Sequence, residues 1–310
     1  MLSYFNNSNE QALGTAGSMS QIITGKTKLL GVIGHPIEHS LSPIMHNAAI
    51  AHLGLDYVYL PLPVHPDNLQ AAISGFAAID LVGFNITIPH KQAIKPLIAE
   101  ISPTAKAIGA INTVWRTSSG TWAGTNTDVE GFIAPLQTYN QDWSQKTAVV
   151  LGNGGAARAV VAGCAQLGFG ETYVVGRNAT KLVEFIASWE NSLLATKLLV
   201  RTWDKLPLLI PQAQVIINTT PIGMYPNVTQ SPLSDEEMAL LRVDAIAYDL
   251  IYTPRPTKFL QQAKARGATA IDGLEMLVQQ GAAALEIWLQ QPVPVDIMRQ
   301  ALQSHLSKCN

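Results

Sequence analysis

The sequence runs to 310 residues, 47% hydrophobic and 14% charged, with a formal net charge of −2. That length suggests about two domains with sizeable cores, and the absence of any basic stripe argues against nucleic acid or an anionic membrane as partner. Two cysteines, Cys164 and Cys309, lack metal-like spacing and fit a reducing cytoplasm better than a disulfide scaffold.

Residues 1–26 are polar, with no basic start leading into an apolar stretch, and read as a loosely ordered leader. No apolar run reaches the ~18 residues of a membrane span. From residue 27 the pattern alternates. A strand is expected over 27–34, a helix over 43–54 stopping at Gly54, a strand over 57–64, a helix over 67–78 and a strand over 81–87. A hairpin follows, pairing INTVWR with TWAGTN through Thr117, Ser118, Ser119 and Gly120. Strands alternating with helices predict a mostly parallel sheet covered by helices.

The beat restarts at 147–151 (TAVVL), with a helix over 156–168, a strand over 171–176, a helix over 180–190 and a strand over 198–203. Three more strand candidates, 215–220, 245–250 and 268–272, complete the six of a doubly wound nucleotide-binding domain. A last long helix, 274–289, lies beyond the sixth strand and is expected to return to the first domain as a cleft wall. The fold class is therefore α/β with two domains. A leader (1–26) precedes a substrate domain (27–128), a Rossmann-type domain (129–273) and C-terminal helices (274–310) that pack back on the substrate domain.

After TAVVL comes Gly152-Asn153-Gly154-Gly155-Ala156-Ala157, a G-x-G-x-x-A turn opening a helix. The first glycine makes the tight turn, the second lets backbone approach a pyrophosphate, and the small third residue lets helix pack on strand. The helix N-terminus adds free N–H groups and a positive dipole end. At the tip of the next strand, where NAD enzymes place a carboxylate, stand Gly176, Arg177 and Asn178, with Lys181 close behind. A guanidinium can fork onto a 2′-phosphate, so NADP(H) is favoured over NAD. The competing reading makes Arg177 a solvated loop arginine.

In the first domain, Ser40 and Ser42 alternate in an extended stretch before a helix, where hydroxyls and backbone donors can meet a carboxylate. Ser42 could instead cap that helix, with Pro43 in its first turn. Asn85 and Thr87 share one face of a strand end, with Lys91 just beyond Pro89. Asn112 and Asp128 lie in two further polar segments, 109–113 and 124–128. Asn, Thr, Lys and Asp at strand ends suit a polyhydroxy ligand. His35, His39 and His46 have no cysteine or carboxylate cluster to complete a site, so no metal is expected. Cys164 reads as a small core residue.

The segments GHPIEHSLSP, NITIPHK, GAINTV, GTNTD, GNGGAARAV, NTTPIGM, YDLIY and DGLEMLVQQGA resemble, in order and spacing, the motif set of the shikimate dehydrogenase (NADP(+)) family, over about residues 29–289. The resemblance implies reversible NADPH-dependent reduction of 3-dehydroshikimate to shikimate, a step toward chorismate and the aromatic amino acids. It implies a catalytic pair of Lys91 and Asp128, acting as a coupled unit with Lys91 as acid. It implies a substrate carboxylate held by Ser40, Ser42 and Tyr252, and hydroxyls held by Asn85, Thr87, Asn112 and Gln280. Gly152, Asn153, Gly154, Gly155 and Ala156 match the pyrophosphate loop, and Gly176, Arg177, Asn178 and Lys181 the adenosine-phosphate pocket. Thr219, Leu250 and Gly273 match cofactor contacts on the nicotinamide side. Gly176 departs from the asparagine that many members carry there. Two rivals stand beside this reading: a quinate/shikimate dehydrogenase, and a catalytically inactive dinucleotide-binding regulator on the same fold. The expected partner is a small molecule in the cytoplasm, and the sequence leaves open whether the chain forms a homodimer.

Overall fold

The computed structural model describes residues 22–308 other than 191, 193, 195 and 196. Most of the expected leader, residues 1–21, lies outside the described residues, as does Cys309. Among the described residues the strands form two six-stranded sheets.

The first sheet contains β1 (Lys28–Gly34), β2 (Tyr57–Pro63), β3 (Gly83–Ile86), β4 (Glu100–Ile101), β5 (Thr113–Arg116) and β6 (Trp122–Thr125), in the order β2-β1-β3-β5-β6-β4. β1 runs parallel to β2 and β3, whereas β5 is antiparallel to both β3 and β6. The hairpin strand β5 thus starts at the end of the sheet where β1 and β3 finish, with Thr113 opposite Asn85. Around it lie α1 (Ser42–His52), α2 (Leu69–Ala78), α3 (His90–Ala93) and α4 (Pro103–Ile108). Ser102 caps α4 through the N–H of Ala105, and Gly109 ends it at φ 75°, a left-handed turn that glycine adopts without strain.

The second sheet contains β7 (Thr147–Leu151), β8 (Glu171–Gly176), β9 (Leu198–Thr202), β10 (Ala213–Asn218), β11 (Ile246–Asp249) and β12 (Thr269–Ile271). All five pairings are parallel, in the order β12-β11-β10-β7-β8-β9. Relative to its own first strand this is 3-2-1-4-5-6, the Rossmann order, with the switch point between β7 and β10. Helices α5 (Asp128–Gln137), α6 (Gly155–Leu167), α7 (Ala179–Ala187), α8 (Leu206–Leu209), α9 (Asp235–Ala239) and α10 (Lys258–Ala265) accompany it. Central strands buried on both faces read as unbroken apolar runs, as TAVVL does. Val149 and Leu151 pack on one side while Ala148 and Val150 pack on the other.

Two long helices end the chain, α11 (Leu274–Leu289) and α12 (Val295–Leu306). Their buried Leu274, Val278, Leu285, Trp288, Met298 and Leu302 join Leu30, Val32, Met45 and Ile50 in one cluster against the first sheet. Trp288 donates its indole N–H to the carbonyl of Val114 on β5 at 2.9 Å. Helix α5 lies between α11 and α6, and its Val129, Phe132 and Leu136 belong to the core of the second sheet.

Several boundaries shift from the sequence expectation. The helix expected over 67–78 opens as a 3₁₀ turn at Pro66–Asn68, and the one expected over 180–190 ends at Ala187. The two-residue strand β4 and helices α3, α4, α5, α8, α9 and α10 were not anticipated. Gly131 and Pro135 interrupt the α5 pattern, and α10 is too short and polar to show a strong apolar stripe. No helix among the described residues is long and apolar enough to cross a membrane.

Candidate active site

The carboxyl ends of β1 and β3, the start of β5 and the end of β6 deliver one polar cluster to the edge of the first sheet. Such crevices outside strand ends are where open α/β sheets take ligands. Lys91, on α3, reaches Asp128 at the head of α5, Nζ to Oδ2 2.6 Å, both side chains mostly buried. A carboxylate in the first turn of a helix sits at the favourable end of its dipole. The Asp128 backbone N–H is itself held by Asn126 Oδ1 at 3.0 Å.

Asn112 fixes the other carboxylate oxygen. Its Nδ2 donates to Asp128 Oδ1 at 2.8 Å while its Oδ1 accepts the Thr127 N–H at 2.8 Å, which settles the orientation of the amide. Asn85, 6% exposed, spends both its N–H groups on the Asn112 carbonyl and Thr113 Oγ1 and accepts from the Tyr59 hydroxyl. Only one lone pair on Oδ1 therefore remains for a ligand. Thr87 is half-buried, its methyl close over Gly34.

At the entrance to α1, Leu41 holds the N-cap position and makes no side-chain cap, so Ser42 does not cap the helix. Its hydroxyl and the uncapped N–H groups form a donor surface suited to a carboxylate. Ser40 stands beside it, with Oγ 3.4 Å from the Ser42 backbone nitrogen. Tyr252, just beyond β11, packs against the cluster of the first sheet, and burial pushes its phenol up from the ordinary range. Gln280, on α11, is nearly buried and donates to the Leu277 carbonyl at 2.8 Å.

The second sheet presents a different chemistry at its strand ends. Gly152 turns at φ 103°, a conformation that side chains rarely adopt. Gly154 precedes α6 without any side-chain cap, and a Cβ built on Gly154 or Gly155 would meet nothing within 4 Å. Gly154, Gly155 and Ala156 are exposed while Ala157 is fully buried against the sheet. Open backbone donors at an uncapped helix start fit a pyrophosphate. Asn153 Oδ1 lies close over Gly176.

Arg177 is exposed at the end of β8, its guanidinium 5.3 Å from the ring centre of Trp203. That stack orients a cation where a carboxylate would select NAD. Asn178 caps α7 by accepting the Lys181 N–H at 3.0 Å, and Lys181 is exposed. Thr219 ties the loop after β10 to the Leu151 carbonyl at 2.8 Å. Gly273 is pinned against Leu250, since a Cβ there would lie 2.1 Å from the Leu250 carbonyl oxygen.

Tyr59 and Trp203 escaped the sequence reading because an aromatic within or at the end of a strand looks like core. So did the buried carboxylate of Asp249, which accepts from Asn218, the Ile251 N–H and Thr257. Burial pushes it up to about 6 against these three hydrogen bonds. A lone aspartate closing the apolar run AIAYD was the available signal, because a buried carboxylate requires partners. No group of three or more metal-ligating side chains occurs among the described residues.

Comparison with known proteins places these features in a family. Residues 32–114 match the family model "Shikimate dehydrogenase substrate binding domain", and residues 273–303 match "Shikimate 5'-dehydrogenase C-terminal domain". A shikimate dehydrogenase (NADP(+)) of Trichormus variabilis is 71% identical, over 92% of this chain and 99% of the relative. A crystal structure of a shikimate dehydrogenase in complex with NADP+ superposes with a TM-score of 0.84 at 38% identity, covering 94% of this chain and 99% of that one. The Listeria monocytogenes shikimate 5-dehydrogenase, in complex with shikimate and NAD, gives 0.83 at 34% identity, covering 92% of this chain and 100% of that one.

Proposed function

The chain belongs to the shikimate dehydrogenase (NADP(+)) family, and on that premise we propose that Lys91 and Asp128 form the catalytic pair of an NADP(H)-dependent interconversion of 3-dehydroshikimate and shikimate. The observation that carries the reading is the 2.6 Å contact between these two side chains, set among amide and hydroxyl groups at the strand ends. Residues 27–128 with the helices of 274–310 form the substrate half, and 129–273 the dinucleotide half.

Reduction of a ketone needs a hydride on carbon and a proton on oxygen. Bound NADPH supplies the hydride. Lys91 Nζ gives the proton to the carbonyl oxygen as negative charge develops there, and Asp128 holds the amine in line. Asn112 keeps Asp128 from rotating by occupying its Oδ1. Ser40, Ser42 and Tyr252 take the substrate carboxylate, with the α1 N-terminus adding a positive dipole end. Thr87, Gln280 and the free lone pair of Asn85 take the ring hydroxyls, and Asn112, whose two N–H groups go to Asp128 and Thr127, joins them where a hydroxyl displaces Thr127 Oγ1.

Gly152 through Ala156 hold the pyrophosphate of the cofactor, while Arg177 and Lys181 pair with its 2′-phosphate, beside Gly176 and Asn178. Thr219, Leu250 and Gly273 border the nicotinamide side. The buried free thiol of Cys164 is compatible with a reducing cytoplasm.

Initial rates of NADP and of NAD reduction with shikimate, then with quinate, test the whole reading. The expected result is turnover with shikimate and NADP that far exceeds the other three combinations. Comparable turnover of quinate would move the chain to the dual-substrate reading. No turnover with any pair would make it a binding protein.

A further inference from the structure

Tyr59 lies on β2, 1% exposed, with its ring stacked on His46 at 4.0 Å between ring centres. Its hydroxyl donates to Asn85 Oδ1 at 2.7 Å. Asn85 Nδ2 donates to Thr113 Oγ1 at 3.1 Å, and Thr113 Oγ1 donates to Asn112 Oδ1 at 2.9 Å. Asn112 Nδ2 then donates to Asp128 Oδ1 at 2.8 Å, and Lys91 closes on Asp128 Oδ2 from the other side. Every link from Tyr59 to Asp128 runs donor to acceptor in one sense. Tyr59, Asn85, Thr113 and Asn112 are all buried, so no bulk water competes for these groups.

Tyr59 also borders the serine end of the cluster through His46. Burial pushes the Tyr59 phenol far up from its ordinary range, and the His46 ring stacked on it meets the Ser42 carbonyl through Nδ1 at 2.8 Å. The phenol is therefore an O–H donor at every working pH, and Asn85 must present its oxygen to it. A carboxamide is nearly symmetric in shape, so a fixed donor on one side and the Asn112 carbonyl on the other decide which way it points.

We propose that Tyr59 is a positioning residue for substrate, the fixed donor that sets Asn85 and, through Thr113 and Asn112, ties it to the Lys91–Asp128 pair. The proposal rests on the site reading given above, in which Ser42 and Asn85 meet substrate. Tyr59 is too buried to touch substrate and acts through its neighbours. Removal of its hydroxyl leaves the His46 stack in place but strands Asn85 Oδ1 without its donor. Thr113 is the corresponding link on the far side of Asn85, with no direct bond to Tyr59.

The test uses the intact enzyme with Tyr59→Phe, Thr113→Val and the double variant, at varied shikimate and varied NADP. Turnover by the wild type is read first: its absence would sink the site reading itself, separately from the role of Tyr59. With an active wild type, each single variant is expected to raise KM for shikimate by about 5- to 10-fold and to leave KM for NADP within twofold. The losses in kcat/KM should also fall short of multiplying in the double variant, because the first break already uncouples the second. Thr113→Val carries the same expectation if Tyr59→Phe does not fold. A shikimate KM within twofold of wild type overturns the proposal. So do fully multiplicative losses, or equal rises in both KM values with a lowered Tm.

Discussion

At the scale of single residues, the site depends on how few options each polar atom is left. Asp128 has one oxygen on Lys91 and the other on Asn112, and Asn112 is locked by the Thr127 N–H. Lys91 is consequently held at one position relative to its partner, which is what a proton donor requires. Lys91→Met keeps the length of the side chain and removes the ammonium. In steady-state assays kcat should fall by about 100- to 10,000-fold, the usual worth of a general acid, with the shikimate KM changed far less. A variant with near-normal kcat would remove Lys91 from the chemistry. The residue types at this site were legible in the sequence because Asn, Thr, Lys and Asp recur at predicted strand ends. Their mutual hydrogen bonds were not, since these join residues up to 37 positions apart through the sheet. Tyr59 illustrates the limit: its sequence neighbours Val58 and Leu60 are apolar, and only the register of β2 on β1 and β1 on β3 carries it to Asn85.

At the scale of elements, the turn from β7 into α6 separates two reasons for keeping a glycine. Gly152 sits at positive φ, and a Cβ there would lie 2.9 Å from Thr219 Oγ1. Gly154 has φ −86° and ψ −166°, extended backbone open to any residue, with nothing near a Cβ. Gly152→Ala should therefore lower Tm by about 5 °C through strain and crowding. Gly154→Ala should leave Tm within about 1 °C, since no strain or clash arises, yet weaken NADP binding, because its methyl would stand where a pyrophosphate must approach the backbone. Thermal unfolding and the KM for NADP measured on both variants would separate these roles, and a large Tm loss in Gly154→Ala would refute the distinction. The strand–glycine–helix order of this unit was readable because local pattern and tertiary role coincide there. Helix α5 was not, because its sequence DVEGFIAPLQ carries a glycine and an interior proline, and its packing against α11 and α6 offsets poor propensity.

At the scale of the whole molecule, two buried ionisable groups in different halves oppose each other as pH changes. His46, under α11 and fully buried, is lowered from 6.5 to about 4 by desolvation, against the hydrogen bond of its Nδ1 with the Ser42 carbonyl. Its neutral ring contributes stability that is complete above pH 6.5 and is lost as pH falls through about 4. Asp249, at the end of β11, is raised from 3.8 to about 6, chiefly by desolvation. Its contribution is complete below pH 3.8 and is lost as pH rises through about 6. Each shift corresponds to something on the order of 3 kcal/mol, and the two slopes have opposite sign across the window from about 4 to 6, so they largely cancel in the wild type. Asp249→Asn keeps an oxygen for Asn218 and the Ile251 N–H and turns an N–H toward Thr257, while removing one of the two titrations. Urea unfolding at pH 7 and at pH 4.5 should then show the variant losing about 2 kcal/mol more than wild type on acidification, because the slope from His46 is no longer offset. Equal losses in the two proteins would mean that the Asp249 carboxyl does not titrate in that window, and that the hydrogen bonds from Asn218, Ile251 and Thr257 outweigh its burial.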